Sequence, residues 1–202
     1  MVKITYIAEA VPNPAACFEH FWNNLPWEQR DVPRRECFFS DNGKPYTYGR
    51  GLGAKTYYPA AGWDDLIAEI KQKAEADFGV KFEACFCNGY NDEHDSLNWH
   101  ADDSEVIDHK RPILVFSFGA KREIWYKGMD GIVHKQMLES GSLFVMPAGM
   151  QLTHLHRIPK HSASCGPRVS LTFRGLLQAH EIGQDERDRQ KAIDVFRGLG
   201  LL

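Results

Sequence analysis

Asn98-Trp99-His100-Ala101-Asp102 and, later in the chain, Thr153-His154-Leu155-His156-Arg157-Ile158-Pro159 decide how this sequence is read. In an extended segment residues i and i+2 point to the same side, so His100 and Asp102 can reach one ion while Ala101 faces away. A His-x-Asp pair completed by a distant histidine is the sequence form of a 2-His-1-carboxylate triad. Such a triad holds non-haem Fe(II) on one face and leaves the opposite positions open. Both His154 and His156 are candidates for the third ligand, because an extended 153–156 segment puts them on one face. A zinc site is the competing metal, but no cysteine accompanies the three residues.

Taken alone, His-x-Asp also fits a solvated strand with no ligand. The later segment Gly166-Pro167-Arg168-Val169-Ser170-Leu171-Thr172-Phe173-Arg174 adds weight. Its alternation predicts a strand with Val169, Leu171 and Phe173 on one face and Arg168, Ser170, Thr172 and Arg174 on the other. Two guanidinium groups then project to the same side, and a planar fork of N–H donors suits a small dicarboxylate.

Taken in order, Asn88-Gly89-Tyr90, His100-Ala101-Asp102, Gly141-Ser142-Leu143-Phe144-Val145-Met146, His156-Arg157-Ile158-Pro159-Lys160 and Pro167 to Arg174 resemble the AlkB family of Fe(II)/2-oxoglutarate dioxygenases. The resemblance runs from about Pro33 to Leu177 and rests on several ordered motifs rather than one. It implies an α+β, mainly β fold: a double-stranded β-helix or jelly roll with flanking helices and an N-terminal nucleotide-recognition lid. It also implies Fe(II), 2-oxoglutarate and dioxygen as cofactors, with His100, Asp102 and His156 as the metal ligands and catalytic centre. Arg168 and Arg174, with Asn88 and Tyr90, would hold 2-oxoglutarate. The implied reaction is oxidative demethylation of N-alkylated bases such as 1-methyladenine or 3-methylcytosine, with loss of formaldehyde, as in direct-reversal alkylation repair. Among the two histidines, the resemblance selects His156, which precedes Arg-Ile-Pro.

The same resemblance places the lid at Tyr46-Thr47-Tyr48-Gly49, with Tyr48 stacking on an extruded base opposite His100 and Tyr46 nearby. The alternative is that these tyrosines fill the inner face of a hairpin. The sequence departs from the family in one place. The position four after the first metal histidine, which in such enzymes is acidic and faces the alkylated base, is Ser104. Asp103 and Glu105 flank it and are candidates to attract a cationic base.

The chain has 202 residues and is expected to form one dioxygenase domain: 1–80 as N-terminal extension and lid, 81–178 as catalytic core, 179–202 as tail. Five cysteines with no Cys-x-x-Cys pair suit a reducing interior. No apolar run approaches a membrane span, and the expectation is a soluble intracellular monomer, cytoplasmic or nuclear. A formal net charge of -3 gives no global attraction to nucleic acid, so a DNA or RNA surface must be local. The candidate patches are Arg34-Arg35, His109-Lys110-Arg111, and Arg157 with Lys160-His161, each of which could equally be a solvated face. Two other functions stay open: an oxygenase of the same fold acting on a protein or small molecule, and a non-catalytic jelly-roll binding module.

Along the chain, Lys3 to Ile7 is predicted as a strand, and Asn13-Pro14 as the cap and first turn of a helix carrying Phe18, Phe21, Trp22 and Leu25. Cys37 to Phe39 and Pro45 to Tyr48 are predicted as a hairpin through Asp41-Asn42-Gly43. Gly49 to Gly53 is predicted as a loop, and Trp63 to Phe78 as a helix stopped by Gly79. Strands are predicted over 82–87, 97–101, 113–118, 123–126, 132–137, 142–146, 151–156 and 168–173. Glu181 to Leu202 is charged, with a possible one-sided helix at Ala192, Ile193 and Phe196.

Overall fold

A computed structural model describes residues 3–48, 56–178 and 181, with the side chains of residues 47, 48 and 56 outside that description. In chain order the elements are β1 (Thr5–Ile7), α1 (Pro14–Asn24), β2 (Glu28–Gln29), β3 (Arg35–Ser40), β4 (Tyr46–Tyr48), β5 (Thr56–Tyr58), β6 (Ala60–Ala61), α2 (Asp65–Phe78), β7 (Ala84–Tyr90), β8 (Leu97–His100), β9 (Ile113–Gly119), β10 (Arg122–Lys127), β11 (Val133–Leu138), β12 (Ser142–Met146), α3 (Met150–Thr153), β13 (Leu155–Ile158) and β14 (Arg168–Arg174). The expected Gly49–Gly53 loop and the tail helix lie outside the described residues.

An eight-stranded sheet runs β1-β12-β9-β14-β7-β3-β2, with β6 added beside β3. A four-stranded sheet runs β11-β10-β13-β8, and β4 pairs with β5 alone. The expected two-sheet antiparallel jelly roll is borne out, and two apolar layers explain its stacking. One layer, with Phe21, Ile67, Leu114, Phe118, Val169, Leu171 and Phe173, fills the space between the large sheet and the two longer helices. The other, with Phe86, Val115, Ile124, Leu138, Phe144, Met146 and Ile158, joins large-sheet and small-sheet residues. Alternation in β14 serves both layers: its odd-numbered apolar residues pack under the helices, so Arg168, Ser170, Thr172 and Arg174 face the space between the sheets. The same alternation in β7 sends Cys85 and Cys87 to the helix side and Phe86 and Tyr90 to the inter-sheet side.

The helices form for legible reasons. In α2 the Asp64 carboxylate accepts from Leu66 and Ile67 N–H, each at 3.1 Å. Gly79 ends it at φ 66°. α1 opens with Pro14, as expected, but Asn13 sits at φ 49° and its side chain caps nothing. Phe21, fully buried, meets Phe118 edge-on at 5.1 Å, burial of about 1.5–3 kcal/mol for such a side chain. Gly119, at φ +86°, ends β9 where a Cβ would lie 2.5 Å from the Pro167 carbonyl oxygen, so only glycine lets the start of β14 approach.

Two expectations are corrected. β3 and β4 do not form a hairpin: the turn at Asp41-Asn42-Gly43 exists, with Gly43 at φ 62°, but β3 pairs with β7, β2 and β6, and β4 pairs with β5. The physical reason is burial, since residues 36–40 are all buried, as an interior strand requires. The strand expected over 151–156 begins instead as the short helix α3, and the paired strand covers only 155–158.

Candidate functional site

The two expected ligand segments meet in the four-stranded sheet. β8 and β13 pair with His100 directly opposite His156, and their rings lie 4.2 Å apart between centroids. β8 stops at His100, and the chain turns inward so that Asp102, 2% exposed, brings its carboxylate 3.7 Å from His100 Nε2. His100, Asp102 and His156 each offer a ligand atom, all within 4.8 Å of one another. One ion fits such a set. The Asn98 carbonyl accepts from His100 Nδ1 at 2.8 Å, which leaves the lone pair on Nε2. Gln151 Oε1 accepts from the Asp102 backbone N–H at 2.9 Å, and Arg174 donates to Asp102 Oδ1 at 2.8 Å. His154 ends α3 outside this group, with its Nδ1 at 2.8 Å from Thr153 Oγ1.

Across the inter-sheet space stand the two arginines of β14. Arg168 is fully buried, donates through Nη2 to Ser117 Oγ at 2.8 Å, and lies 5.2 Å from the Tyr90 ring centre. Arg122, equally buried, approaches the same ring at 5.5 Å. Its guanidinium donates to the carbonyls of Asp92, Asp95 and Pro159. Arg174 sits 5.6 Å from the rings of Tyr46 and Phe86.

Several buried polar atoms here have no partner: Nε and Nη1 of Arg168, Nε and Nη1 of Arg174, Asp102 Oδ2 and His156 Nδ1. Leaving such groups unmatched costs about 1–3 kcal/mol each, more when charged. Their concentration around one space is what a bound anion and a bound cation would relieve.

The electrostatics agree. Burial, then the His100 neighbour, pushes His156 down to about 3, and burial lowers His100 against the pull of Asp102. Burial opposes the Asp102 charge, but Arg174 overrides it and the carboxyl falls to about 2. With both imidazoles neutral at pH 7, Arg174 is the cation that keeps the carboxylate ionised. Burial lowers Arg168 to about 10, so it stays charged. All three donors are thus deprotonated at neutral pH, as a metal requires.

A stability consequence follows. The unfolded histidine value is 6.5 and the folded His156 value about 3, so on acidification the unfolded chain takes up protons that the folded chain refuses. The stability that His156 contributes to the metal-free protein is complete above 6.5 and is lost progressively as pH falls from there toward 3. The thermal midpoint followed by circular dichroism is expected to fall between about pH 7.5 and about pH 5, and a flat midpoint would show that neither histidine is buried neutral.

With this geometry in place, comparisons with known proteins decide the family. The family model described as 2OG-Fe(II) oxygenase superfamily matches residues 18–174. The chain belongs to that superfamily. Within the 2OG-Fe(II) oxygenases, its curated relatives include AlkB proteins, as the motifs implied. It is 32% identical over 178 residues to alpha-ketoglutarate-dependent dioxygenase alkB homolog 3 of Bos taurus, covering 78% of this chain and 59% of the relative. It is 29% identical over 156 residues to the DNA oxidative demethylase ALKBH2 of Homo sapiens, covering 72% of this chain and 58% of that protein. The chain therefore spans well under two thirds of the length of these relatives. The solved structure of OsALKBH1 shares the fold, with TM-score 0.60 at 15% identity over 86% of this chain and 97% of that one. Membership in the 2OG-Fe(II) oxygenases brings Fe(II), 2-oxoglutarate and dioxygen as the cofactors.

The other expected site residues are distributed as follows. Asn88 and Tyr90 lie opposite Ser170 and Arg168 in the β7–β14 register. Tyr46 is 3% exposed and packs on Phe38, Tyr58 and Phe86. The Tyr48 side chain lies outside the described residues. Asp103 and Glu105 are half-buried in the segment after Asp102, and Ser104 between them is buried. Two of the expected basic patches are engaged within the fold. Arg34 pairs with Glu36 and donates to Asn88 Oδ1, and Arg35 stacks 3.7 Å from the Trp22 ring. Arg111 binds Asp108, Glu83 and the Leu176 carbonyl. Sequence reasoning missed Gln151, Ser117, Arg122 and the Arg34 link to Asn88, whose partners lie far away in sequence. Among the described residues no helix is long and apolar enough to cross a membrane, and no cysteine is in a disulfide.

Proposed function

We propose that this chain is an Fe(II)/2-oxoglutarate-dependent dioxygenase that oxidatively demethylates N-alkylated bases in nucleic acid, acting as one domain. The observation that carries the proposal is the set of unpartnered buried atoms, a neutral-histidine and carboxylate triad facing two arginines with open N–H donors. His100, Asp102 and His156 would hold Fe(II). Arg168, whose Nε and Nη1 have no other acceptor, would clamp one carboxylate of 2-oxoglutarate, with Tyr90 packed against it and Asn88 beside it. Arg174 would hold Asp102 in orientation through Nη2 and offer its open Nε and Nη1 to the cosubstrate, as the family resemblance implies. Bound there, these groups supply oxidising power from dioxygen, with succinate and carbon dioxide as products.

What the chain itself contributes is placement and dryness. Tyr46, Phe38 and Phe86 would wall the Arg174 side and exclude water. The lid, with Tyr48, would hold the extruded base so that its N-methyl carbon faces the triad. Once that methyl is hydroxylated, the new O–H gives its proton to solvent, the C–N bond breaks with its electron pair returning to the ring nitrogen, and formaldehyde leaves. Asp103 and Glu105 follow Asp102 by one and three residues, and a carboxylate there favours a cationic base. DNA and RNA are both candidate substrates, DNA being favoured by the name of the human relative. The five thiols fit a reducing intracellular compartment.

The test is mass spectrometry of single-stranded DNA and RNA oligonucleotides carrying 1-methyladenine or 3-methylcytosine, incubated with protein, Fe(II), 2-oxoglutarate and air. Loss of the methyl mass with formaldehyde and succinate is expected. Succinate formation without methyl loss on any oligonucleotide would overturn the nucleic-acid substrate and leave an oxygenase of another target.

A further inference from the structure

The four-stranded sheet that holds the two triad histidines carries a second constellation on its opposite face. In the registers of β10 with β11 and β13, Trp125 lies opposite both Lys135 and Arg157. The Arg157 guanidinium sits 4.2 Å from the Trp125 ring centre and 5.0 Å from that of Trp99. Lys135 Nζ lies 4.2 Å from Trp125, and Lys127 Nζ 4.7 Å from Trp99. Cations and indoles therefore alternate across the sheet: Lys135, Trp125, Arg157, Trp99, Lys127. Val133, Met137 and Leu155 leave the same face open to solvent, at 41%, 36% and 40% exposure. The acidic side chain on these strands' outer positions is Glu123, and it accepts from Trp125 Nε1 at 2.7 Å.

The arrangement differs from a stacking platform. The indole faces are already covered by cations, so they hold charge in place rather than offer a surface to bases. A lysine on a free surface is mobile and strongly hydrated, whereas one held over an indole has its position set in advance. Three placed cations against one internally bonded carboxylate match a polyanion, in a chain whose net charge of -3 gives no general attraction.

We propose that this outer face of the four-stranded sheet binds the phosphate backbone of the single-stranded nucleic acid whose target base occupies the site on the inner face. The inference rests on the demethylase reading and deepens it. His100 and Trp99 are neighbours on the edge strand β8, as are His156 and Arg157 on β13, so the two faces are one sheet thickness apart. A strand passing round the open edge of β8 crosses about 10 Å, roughly three nucleotides at the ~3.4 Å spacing of a stacked strand. Short substrates would therefore miss the row and longer ones would reach it.

The experiment is fluorescence anisotropy, without Fe(II), of labelled oligodeoxynucleotides that carry one terminal 1-methyladenine and are about 5 and about 15 nucleotides long, a range that brackets common single-strand site sizes. Wild type is compared with a Lys127→Glu/Lys135→Glu protein whose fold is checked by circular dichroism. The expected result is tighter binding of the longer strand by wild type, with that advantage lost in the variant. The slope of log affinity against log salt should flatten by about 0.7 per lost phosphate contact. Demethylation of a methylated trinucleotide should continue at the wild-type rate. Unchanged affinity and salt slope in the variant, alongside intact demethylation, would overturn this surface. Absence of demethylation by wild type with the length-dependent binding still lost in the variant would overturn the demethylase reading and leave the surface standing.

Discussion

Arg168→Met is expected to remove 2-oxoglutarate binding and, in the same protein, to raise the thermal midpoint without cosubstrate. Arg168 is fully buried, its Nη2 bonds Ser117, and its Nε and Nη1 bond nothing. Burial already lowers it to about 10, a sign that the charged form is held against its preference. In the free protein the balance sets the Ser117 hydrogen bond and the contact with Tyr90, a cation–π pair worth about 0.5–2 kcal/mol, against a desolvated guanidinium with two open donors. Replacing buried charge by an apolar side chain of similar length is often neutral or stabilising by about 1–4 kcal/mol. The donors decide the sign. Binding moves the other way, because truncating one partner of a buried charge pair costs about 2–5 kcal/mol, roughly 30-fold to several thousandfold in affinity. Calorimetric titration of 2-oxoglutarate into the Mn(II)-loaded protein measures the second effect, and circular dichroism melting the first. Affinity within about threefold of wild type, below the tenfold that 1.4 kcal/mol represents, would show that Arg168 holds no carboxylate.

That residue was legible in the sequence because a strand's period is short and local. Alternation over 168–174 placed the arginines on one face, and the β14 register bears it out. The i, i+2 relation brought His100 and Asp102 together even though β8 ends between them, since a turn just after a strand still keeps close neighbours close. What stayed hidden depends on distant partners. The pairing of β3 with β7 rather than β4 is fixed by which strand covers an all-buried run, and a good turn sequence at Asp41-Asn42-Gly43 says nothing about that. Gln151 supports Asp102 only because α3 replaces the start of an expected strand. Nothing local in the sequence marks Arg122, yet it ties the carbonyls of Asp92, Asp95 and Pro159 together beside Tyr90. The cation and indole row was visible only as scattered basic and aromatic residues until cross-strand register aligned them.

Asp102→Ala is expected to lose both metal and stability, and the size of each loss separates the two tasks of this carboxylate. Losing an outer partner of a metal ligand typically costs about 10–100-fold in affinity, and removal of a direct ligand should exceed that, ending the proposed demethylation. The stability loss has a different origin. Arg174 is 6% exposed and donates to Asp102 at 2.8 Å, and its other nitrogens Nε and Nη1 are already open. Alanine leaves that guanidinium buried with no acceptor, an uncompensated charge worth about 3–5 kcal/mol. For a chain of this size that lowers the midpoint by about 6–20 °C. Asp102→Asn keeps an oxygen acceptor for Arg174 but removes the negative charge. Its midpoint should lie between alanine and wild type, while its metal binding should fall nearly as far as that of alanine. Co(II) titration by absorption and thermal melting of all three proteins provide the readings. Metal affinity in the alanine protein equal to wild type would remove Asp102 from the ligand set. An unchanged midpoint would mean that water satisfies Arg174 in its place, and that the arginine is held by the β14 backbone rather than by the carboxylate it faces.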